Sequence, residues 1–249
     1  MEKSGKAIIG TSGYHYKHWL GKFYPQDLRY QDMLNYYLLH FQTVELNNSF
    51  YMLPSAEKFE NWKRSVPEDF IFAVKASRYI THIKKLNDCQ EPLDRLLNNV
   101  SYLNEKLGPI LFQLPPGWKI NIDRLEGFLK LLPSDLRFTL EFRNHTWYTD
   151  ETYDLLKRHN VSFCIYELEY HQSPMISTAD FIYIRLHGPE TKYAGDYDCN
   201  TLELWKERII QWNQEGKDVY CYFDNDQNAY AAYNALTLQD MLVGAVITC

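Results

Sequence analysis

The feature that most constrains the fold is a regular alternation of short apolar runs, each typical of a strand, with stretches of helical period. Strands that alternate with helices pair in parallel through right-handed crossovers. Eight such units in 249 residues fit an α/β fold of the (β/α)8 TIM-barrel type better than an open doubly wound sheet, since no G-x-G-x-x-G or P-loop follows the first strand. The predicted strands are Ala7–Thr11, Thr43–Asn47, Ile71–Ala76, Ile110–Leu114, Phe138–Arg143, Ser162–Glu167, Phe181–His187 and Val219–Asp224.

Apolar residues at helical spacing predict helices between these strands. The clearest predicted helix runs from about Pro92 to Leu107, and another is capped by Asn121 and halts at Pro133. Residues 171–180, after the sixth strand, have no convincing helical period and predict an irregular or short sixth helix. No linker or repeat divides the chain, so we expect a single domain over residues 1–249. Further helical periods cover Met33–Phe41, Phe59–Val66, Leu202–Trp212 and Gln227–Met241.

Composition limits the classes of partner that the chain can be expected to bind. With 26 Lys and Arg against 32 Asp and Glu, the net charge is -6, which argues against a broad nucleic-acid-binding face but not against a local basic pocket. No segment approaches the roughly 20 apolar residues of a membrane span, and the apolar run near the N-terminus is too short for a signal peptide. The five cysteines are odd in number and lack C-x-x-C spacing. We therefore expect a reduced cytoplasmic protein without a membrane partner, of undetermined oligomeric state.

Polar side chains recur at the carboxyl ends of the predicted strands. Burying an unpaired charge costs several kcal/mol, so six strands would not carry such residues without compensation. In a barrel these ends converge on the mouth where the βα loops build an active site. The residues concerned are Glu45, Asn47, Lys75, Gln113, Glu141, Arg143, Arg185, His187, Asp224 and the following Asn225.

Seven blocks of the sequence, in order, resemble the YecE-like family of uncharacterised proteins, and the resemblance covers nearly the whole chain. It implies a TIM barrel and brings no established activity. Two positions depart from the family pattern, with Tyr14 in place of the usual Trp and Asp224 in place of a common Asn. The blocks are IGTSGYHYKHWLGKFYP (Ile9–Pro25), VELNNSFY (Val44–Tyr51), FAVKASRYITH (Phe72–His82), LGPILFQLPP (Leu107–Pro116), LEFRNHTW (Leu140–Trp147), YIRLHG (Tyr183–Gly188) and YFDNDQNAYAAYNA (Tyr222–Ala235).

These residue types predict an enzyme that uses acid–base chemistry on a small polar, anionic substrate. Glu141 and Glu45 are the candidate general acid and base, with His187 assisting. Lys75 balances charge or, if its pKa is depressed, forms a Schiff base. The remaining candidates bind substrate: Arg143 and Arg185 hold the anion with Lys75, Asn47, Gln113 and Asn225 orient it, Tyr51 and Trp147 offer rings, and Asp224 completes the rim.

Three other interpretations stay open. The charged residues could form a closed salt-bridge network that only fixes the barrel. A divalent metal on Glu45, Glu141, His187 and Asp224 would indicate a hydrolase, nuclease or isomerase. No H-x-H or D-x-H pair supports such a site and three cations oppose it, so we expect neither metal nor cofactor. The third possibility is a barrel that binds a small ligand or partner without turnover, which the sequence does not separate from an enzyme.

Overall fold

The computed structural model describes residues 4–245, in which eight parallel strands alternate with helices and form one closed TIM-barrel sheet. The strands are β1 Ala7–Ser12, β2 Thr43–Leu46, β3 Ile71–Lys75, β4 Leu107–Gln113, β5 Phe138–Glu141, β6 Ser162–Leu168, β7 His171–Gln172, β8 Phe181–Leu186 and β9 Asp218–Phe223. One additional short strand, β7 in chain order, pairs antiparallel with the end of β6. Around the barrel the order is β5-β4-β3-β2-β1-β9-β8-β6, and pairing of β5 with β6 closes it.

Helices lie between these strands and after the last of them. They are α1 Met33–Tyr37, α2 Asn48–Tyr51, α3 Ala56–Arg64, α4 Gln90–Val100, α5 Ile122–Leu129, α6 Asp150–Arg158, α7 Cys199–Gln214 and α8 Tyr230–Leu242. Residues 173–180 contain no helix, as the missing period predicts. Instead, the chain after β6 turns back into β7.

Two helices differ from the sequence prediction. The helix predicted from Pro92 to Leu107 ends at Val100, because a 3-10 turn follows in which Asn104 has a φ of 49°. This break lets β4 begin at Leu107, three residues earlier than predicted. Helix α6 was not predicted, although Thr149 caps it by accepting a hydrogen bond from the backbone N–H of Thr152.

The described chain divides into two compact units. Unit 1 comprises residues 4–45, 165–173 and 181–245, and unit 2 comprises residues 46–164 and 174–180. In unit 1, β9 pairs in parallel with β1 on one side and with β8 on the other. Ile184 and Cys221 of these strands are buried. In unit 2, β4 pairs in parallel with β3 and β5. The expectation of a single domain over residues 1–249 stays a prediction.

The cysteines are largely buried thiols. Cys89, Cys164 and Cys221 are free and buried, and burial raises the pKa of Cys89 to about 11. Cys199 is disulfide-bonded, so the expectation of a wholly reduced chain is wrong at this residue. Cys249 lies outside the described residues. Within residues 4–245 no helix combines the length and apolar character that crossing a bilayer requires.

Candidate active site

Unit 1 gathers its polar side chains at the carboxyl ends of its strands. Because side chains alternate along a strand, Tyr183 and Arg185 of β8 share one face, and His187 follows on the same face. The registers place Ser12 of β1 opposite Glu45 and set Arg185 beside the penultimate residue of β9. We call the resulting group the Arg185 network, defined as Ser12, Glu45, Tyr183, Arg185, His187 and Asp224.

Glu45 lies at the centre of the Arg185 network and is fully buried. The hydroxyl of Ser12 donates to Glu45 Oε1, and the phenol of Tyr183 donates to Oε2 at 2.7 Å. Arg185 adds Nε at 3.0 Å from Oε2 and Nη2 at 2.8 Å from Oε1. Burial raises the pKa of Tyr183 well above its usual value, and the charge of Glu45 raises it further, so the phenol keeps its proton. Each carboxylate oxygen therefore accepts from at least one fixed donor.

The guanidinium of Arg185 is directed entirely at protein groups. Besides Glu45, Nη2 donates to Ser12 Oγ at 3.0 Å and to Asp224 Oδ2 at 2.9 Å. Nη1 lies 3.2 Å from His187 Nε2. Arg185 is only 1% exposed, so these contacts occupy it inside the protein. For Glu45 and Arg185, the geometry supports the interpretation of an ion network that fixes the strands.

His187 and Asp224 form the outer side of this network. Arginine only donates hydrogen bonds, so Nε2 of His187 accepts from Arg185, and a neutral imidazole then carries its proton on Nδ1. That nitrogen lies 2.9 Å from Asp224 Oδ2. His187 is fully buried, and Tyr193 packs edge-on against its ring at 5.6 Å between centroids. The side chain of Asp224 is 12% exposed, in contrast to the fully buried Glu45.

A second carboxylate, which the sequence reasoning missed, lies next to Asp224. Burial raises the pKa of Asp226, and the negative charge of Asp224 raises it further, while His18 at 3.2 Å opposes this effect. Burial and the same two aspartates also raise the pKa of Tyr16 above its usual range. The sequence signal for Asp226 was the D-N-D spacing after β9. An aspartate at the end of a strand and a second aspartate two residues later place two carboxyl groups close together along the chain.

The loop after β8 is tied to the end of β9. Asn225 donates from Nδ2 to the carbonyl of Gly195 and to Oδ1 of Asn234, both at 2.8 Å. Gly188 begins the loop with a φ of 117°, and a Cβ there would lie 2.1 Å from the carbonyl oxygen of Ala194. The predicted ligand-orienting residue Asn225 is fully buried, and its amide donors fix this loop.

The predicted residues of unit 2 form separate contacts. Arg143 donates from Nε to Glu141 Oε1, and Cys164 Sγ lies 3.8 Å from the other carboxylate oxygen of this fully buried glutamate. Gln113 stands opposite Glu141 in the strand register and donates to the carbonyl of Leu114. Lys75, at the end of β3, is half-buried with Nζ 4.5 Å from the centroid of the Phe50 ring.

Three other predicted binding residues lie in different environments. Asn47 is half-buried immediately before α2, and Tyr51 at the end of that helix is 76% exposed. Trp147 is fully buried and donates its indole N–H to the carbonyl of Trp118 at 2.9 Å. The expectation that Trp147 presents a ring to substrate is therefore wrong, because the ring packs within the protein.

Among the residues from 4 to 245, no group of three or more His, Cys, Asp or Glu side chains is arranged to hold a metal ion. The four side chains proposed as ligands divide between the units, with Glu141 in unit 2 and Glu45, His187 and Asp224 in unit 1. In unit 1, Arg185 contacts all three of the others.

Sequence comparison gives the family. The model for DUF72, a protein family of unknown function, matches residues 8–247. The chain belongs to this family. It is 28% identical to the UPF0759 protein YunF of Bacillus subtilis (strain 168), over 88% of this chain and 89% of YunF. It is 30% identical to the UPF0759 protein YecE of Escherichia coli (strain K12), over 45% of this chain and 41% of YecE. The predicted YecE-like resemblance is confirmed.

Solved structures of DUF72 proteins share the fold. A DUF72 family protein from Thermotoga maritima MSB8 (TM1631) superposes with a TM-score of 0.87 at 30% identity, covering 96% of this chain and 99% of that chain. A DUF72 family protein from Enterococcus faecalis V583 superposes with a TM-score of 0.81 at 22% identity, covering 97% of each chain. The predicted TIM-barrel class is confirmed.

Proposed function

We propose that this DUF72 protein is an enzyme that carries out metal-independent acid–base chemistry on a small polar, anionic substrate at the carboxyl ends of the barrel strands. Within unit 1 the reacting groups are Asp224 and Asp226, with His187 assisting. Glu45 and Arg185 act as positioning residues that hold Asp224 in place. This assignment moves the chemistry from Glu45, the sequence-based candidate, to Asp224, the less buried carboxylate of the same network, and to its neighbour Asp226.

The contrast between two neighbouring carboxyl groups carries this proposal. Asp224 accepts from the guanidinium of Arg185, a contact that favours the ionised carboxylate. Asp226 has a raised pKa, because it is partly buried and lies beside that negative charge, so it holds its proton to higher pH. Carboxyl groups whose environments separate their proton affinities are typical of an acid–base pair. Asp224 would accept a proton from substrate and Asp226 would return one.

Unit 2 carries the proposed anion-binding side chains Arg143 and Lys75. Lys75 ends β3, and Arg143 follows β5 and forms an ion pair with Glu141. Guanidinium and ammonium groups are the side chains that bind phosphate and carboxylate groups, so an anion is the ligand class that these residues favour. Glu141 is kept in the proposal as a second proton-transfer candidate, and Gln113, Asn47 and Tyr51 as groups that orient the substrate.

Turnover by matched variants tests the proposal. The purified protein is incubated with a panel of phosphorylated and carboxylated metabolites, and product formation is followed by NMR with and without chelator. We expect chelator-resistant turnover that falls by about 10²- to 10⁴-fold in Asp224→Asn, the range for loss of a general acid or base. Asp226→Asn should lower turnover and remove the alkaline limb of the pH profile, because activity then no longer falls as the proton of Asp226 is lost. Asp27→Asn changes an exposed aspartate of the same unit and should match the wild type.

Other outcomes select the alternatives. Turnover that requires added Mn²⁺ or Zn²⁺ would identify a metal-dependent hydrolase, nuclease or isomerase. Saturable binding without any chemical change would identify a non-catalytic ligand-binding barrel. Unchanged turnover in Asp224→Asn, with circular dichroism confirming the fold, would refute the assigned base.

A cytoplasmic location completes the proposal. The free thiols Cys89, Cys164 and Cys221 support it, whereas the disulfide of Cys199 is of the kind found in oxidising compartments. Fractionation of cells producing the tagged full chain tests it directly. Recovery in an extracytoplasmic fraction would contradict it.

A further inference from the structure

Helix α8 of unit 1 carries a buried asparagine in its interior. The helix, Tyr230–Leu242, is rich in alanine and leucine, whereas Asn234 lies on its second turn and is only 4% exposed. Asparagine favours caps and turns over helix interiors, because its side chain competes for backbone hydrogen bonds. A buried asparagine at such a position indicates that its amide has hydrogen-bond partners outside the helix.

The amide of Asn234 is fully hydrogen-bonded to the segment between β8 and α7 and to the residues after β9. Its Nδ2 donates to Asp196 Oδ1 at 2.7 Å and to the carbonyl of Tyr197 at 3.3 Å. Its Oδ1 accepts from the backbone N–H of Tyr197 at 3.2 Å and from Asn225 Nδ2 at 2.8 Å. Both donors and both acceptor positions are occupied, so neither a carboxylate nor an apolar side chain of the same shape could replace this amide.

These contacts close the segment between β8 and α7 on itself. We call residues 187–198 the β8–α7 loop. Near its start, the N–H of Gly188 donates to the hydroxyl of Tyr197 at 3.0 Å. Asn225 donates to the carbonyl of Gly195 at 2.8 Å and shares the amide oxygen of Asn234 with Tyr197. Asn234 therefore joins the end of the loop to the segment that carries Asn225.

The closed loop places the ring of Tyr193 against His187. The backbone N–H of Tyr193 donates to the carbonyl of His187 at 2.7 Å, and the two rings pack edge-on at 5.6 Å between centroids. The carbonyl of Tyr193 accepts from the N–H of Gln227 at 3.3 Å. Tyr193 has a φ of 61°, a left-handed conformation that a tyrosine keeps only where its surroundings hold it. The hydrogen bonds of Asn234 are part of those surroundings.

We propose that Asn234 is a positioning residue of the candidate active site, which fixes the β8–α7 loop and thereby holds the Tyr193 ring against His187. Proton transfer needs a fixed imidazole, because a displacement of about 1 Å can lower the rate by about 10²-fold. The inference rests on the proposed function only in treating His187 as a group that assists proton transfer. Fixing the loop requires no turnover, so the two proposals fail separately.

NMR of the His187 ring in the full chain tests this role without a substrate. His187→Gln assigns the ring signals, and Tyr193→Leu marks where they lie when the neighbouring ring is absent. We expect Asn234→Ala to move the His187 signals toward their Tyr193→Leu position, because the released ring no longer shifts them. Asn35→Ala, which removes an exposed asparagine of α1 in the same unit, should leave them in place. His187 signals that keep their wild-type position in folded Asn234→Ala would overturn the proposal.

Limited proteolysis measures the same loop independently. Lys192 is an exposed trypsin site in the loop, whereas Arg208 is an exposed site in helix α7 that reports unfolding of the helix. In Asn234→Ala we expect cleavage after Lys192 to accelerate by roughly tenfold, since the loss of buried hydrogen bonds favours local opening. Equal acceleration at both sites would mean general unfolding and would overturn a role confined to the loop.

A second variant decides the question if Asn234→Ala does not fold. Asp196→Ala removes an exposed partner of Asn234 and leaves the buried amide in place. It should move the His187 signals and accelerate cleavage after Lys192 in the same directions as Asn234→Ala, by smaller amounts. A wild-type response in both measurements would overturn the role of Asn234.

Turnover separates this inference from the proposed function. Where the panel of metabolites gives turnover, Asn234→Ala should lower kcat by about 10²-fold and change KM little, because the chemical step depends on the fixed imidazole. An unchanged kcat together with moved His187 signals would overturn the positioning role. If the wild type turns over none of the panel, the acid–base proposal fails, and NMR and proteolysis still decide whether Asn234 holds the loop.

Discussion

The Arg185 network of unit 1 and the β3-loop cations of unit 2 place charge at strand ends in opposite ways. In the first, Arg185 is buried between two carboxylates, each within 2.9 Å of its Nη2. In the second, which consists of Lys75, Arg78 and His82, burial lowers the pKa of His82, and the positive charges of Lys75 and Arg78 lower it further. The same sequence pattern, a polar residue at the end of a strand, therefore yields a buried network of opposite charges in one unit and a group of like charges in the other.

The largest expected effect tests the internal network. Arg185→Met leaves Glu45 buried without its cation, so the free energy of unfolding should fall by about 3 to 5 kcal/mol, the cost of breaking a buried ion pair. Urea denaturation measures the loss. Arg64→Met breaks an exposed pair with Glu60 and should cost less than about 1 kcal/mol.

A double variant sharpens this result. Glu45→Gln added to Arg185→Met removes the stranded charge and should recover part of the lost stability. If Arg185→Met lowers the free energy of unfolding by no more than Arg64→Met does, Arg185 does not stabilise the buried carboxylate of Glu45. The contrast with the β3-loop cations then disappears.

Sequence reasoning recovered the fold because strand and helix periods are local. Alternation along β8 put Tyr183, Arg185 and His187 on one face, and the structure has them on one face. The period does not predict which side chains contact each other. Glu45 and Arg185 are separated by 140 residues, and their contact depends on the register of distant strands.

The candidate site was less predictable than the fold. Trp147 was predicted to offer a ring because it falls in a loop after a strand, but packing against Trp118 buries it. Asp226 was overlooked because its raised pKa arises from burial and from Asp224, neither of which is visible in composition. Arg78 carried no sequence signal beyond its charge, since its effect on the pKa of His82 depends on the folded structure.

The next effect in size concerns a neutral member of the Arg185 network. Tyr183→Phe removes the phenol that donates to Glu45 at 2.7 Å while keeping the ring. A hydrogen bond to a buried charge contributes about 1.5 to 3 kcal/mol, and the free energy of unfolding should fall by that amount. Tyr170→Phe, at a phenol that is 82% exposed, is the matched control and should be neutral. Equal losses in both variants would show that Glu45 does not depend on this donor.

The smallest effect belongs to the β3-loop cations and depends on pH. Because the pKa of folded His82 is lowered, the unfolded chain binds a proton first, and this contribution to stability is present above about pH 6.5 and lost as pH falls through the folded pKa. Arg78→Met removes one of the two charges that lower it, so the loss on acidification should shrink. At neutral pH the variant should lie within about 0.5 kcal/mol of the wild type, as for other surface substitutions. Urea denaturation at both ends of that range measures the difference, with His82→Gln marking the limit in which the contribution is absent. If acidification lowers the free energy of unfolding of Arg78→Met more than that of the wild type, Arg78 does not raise the cost of protonating His82. The contrast between the two units would then rest on Lys75 alone.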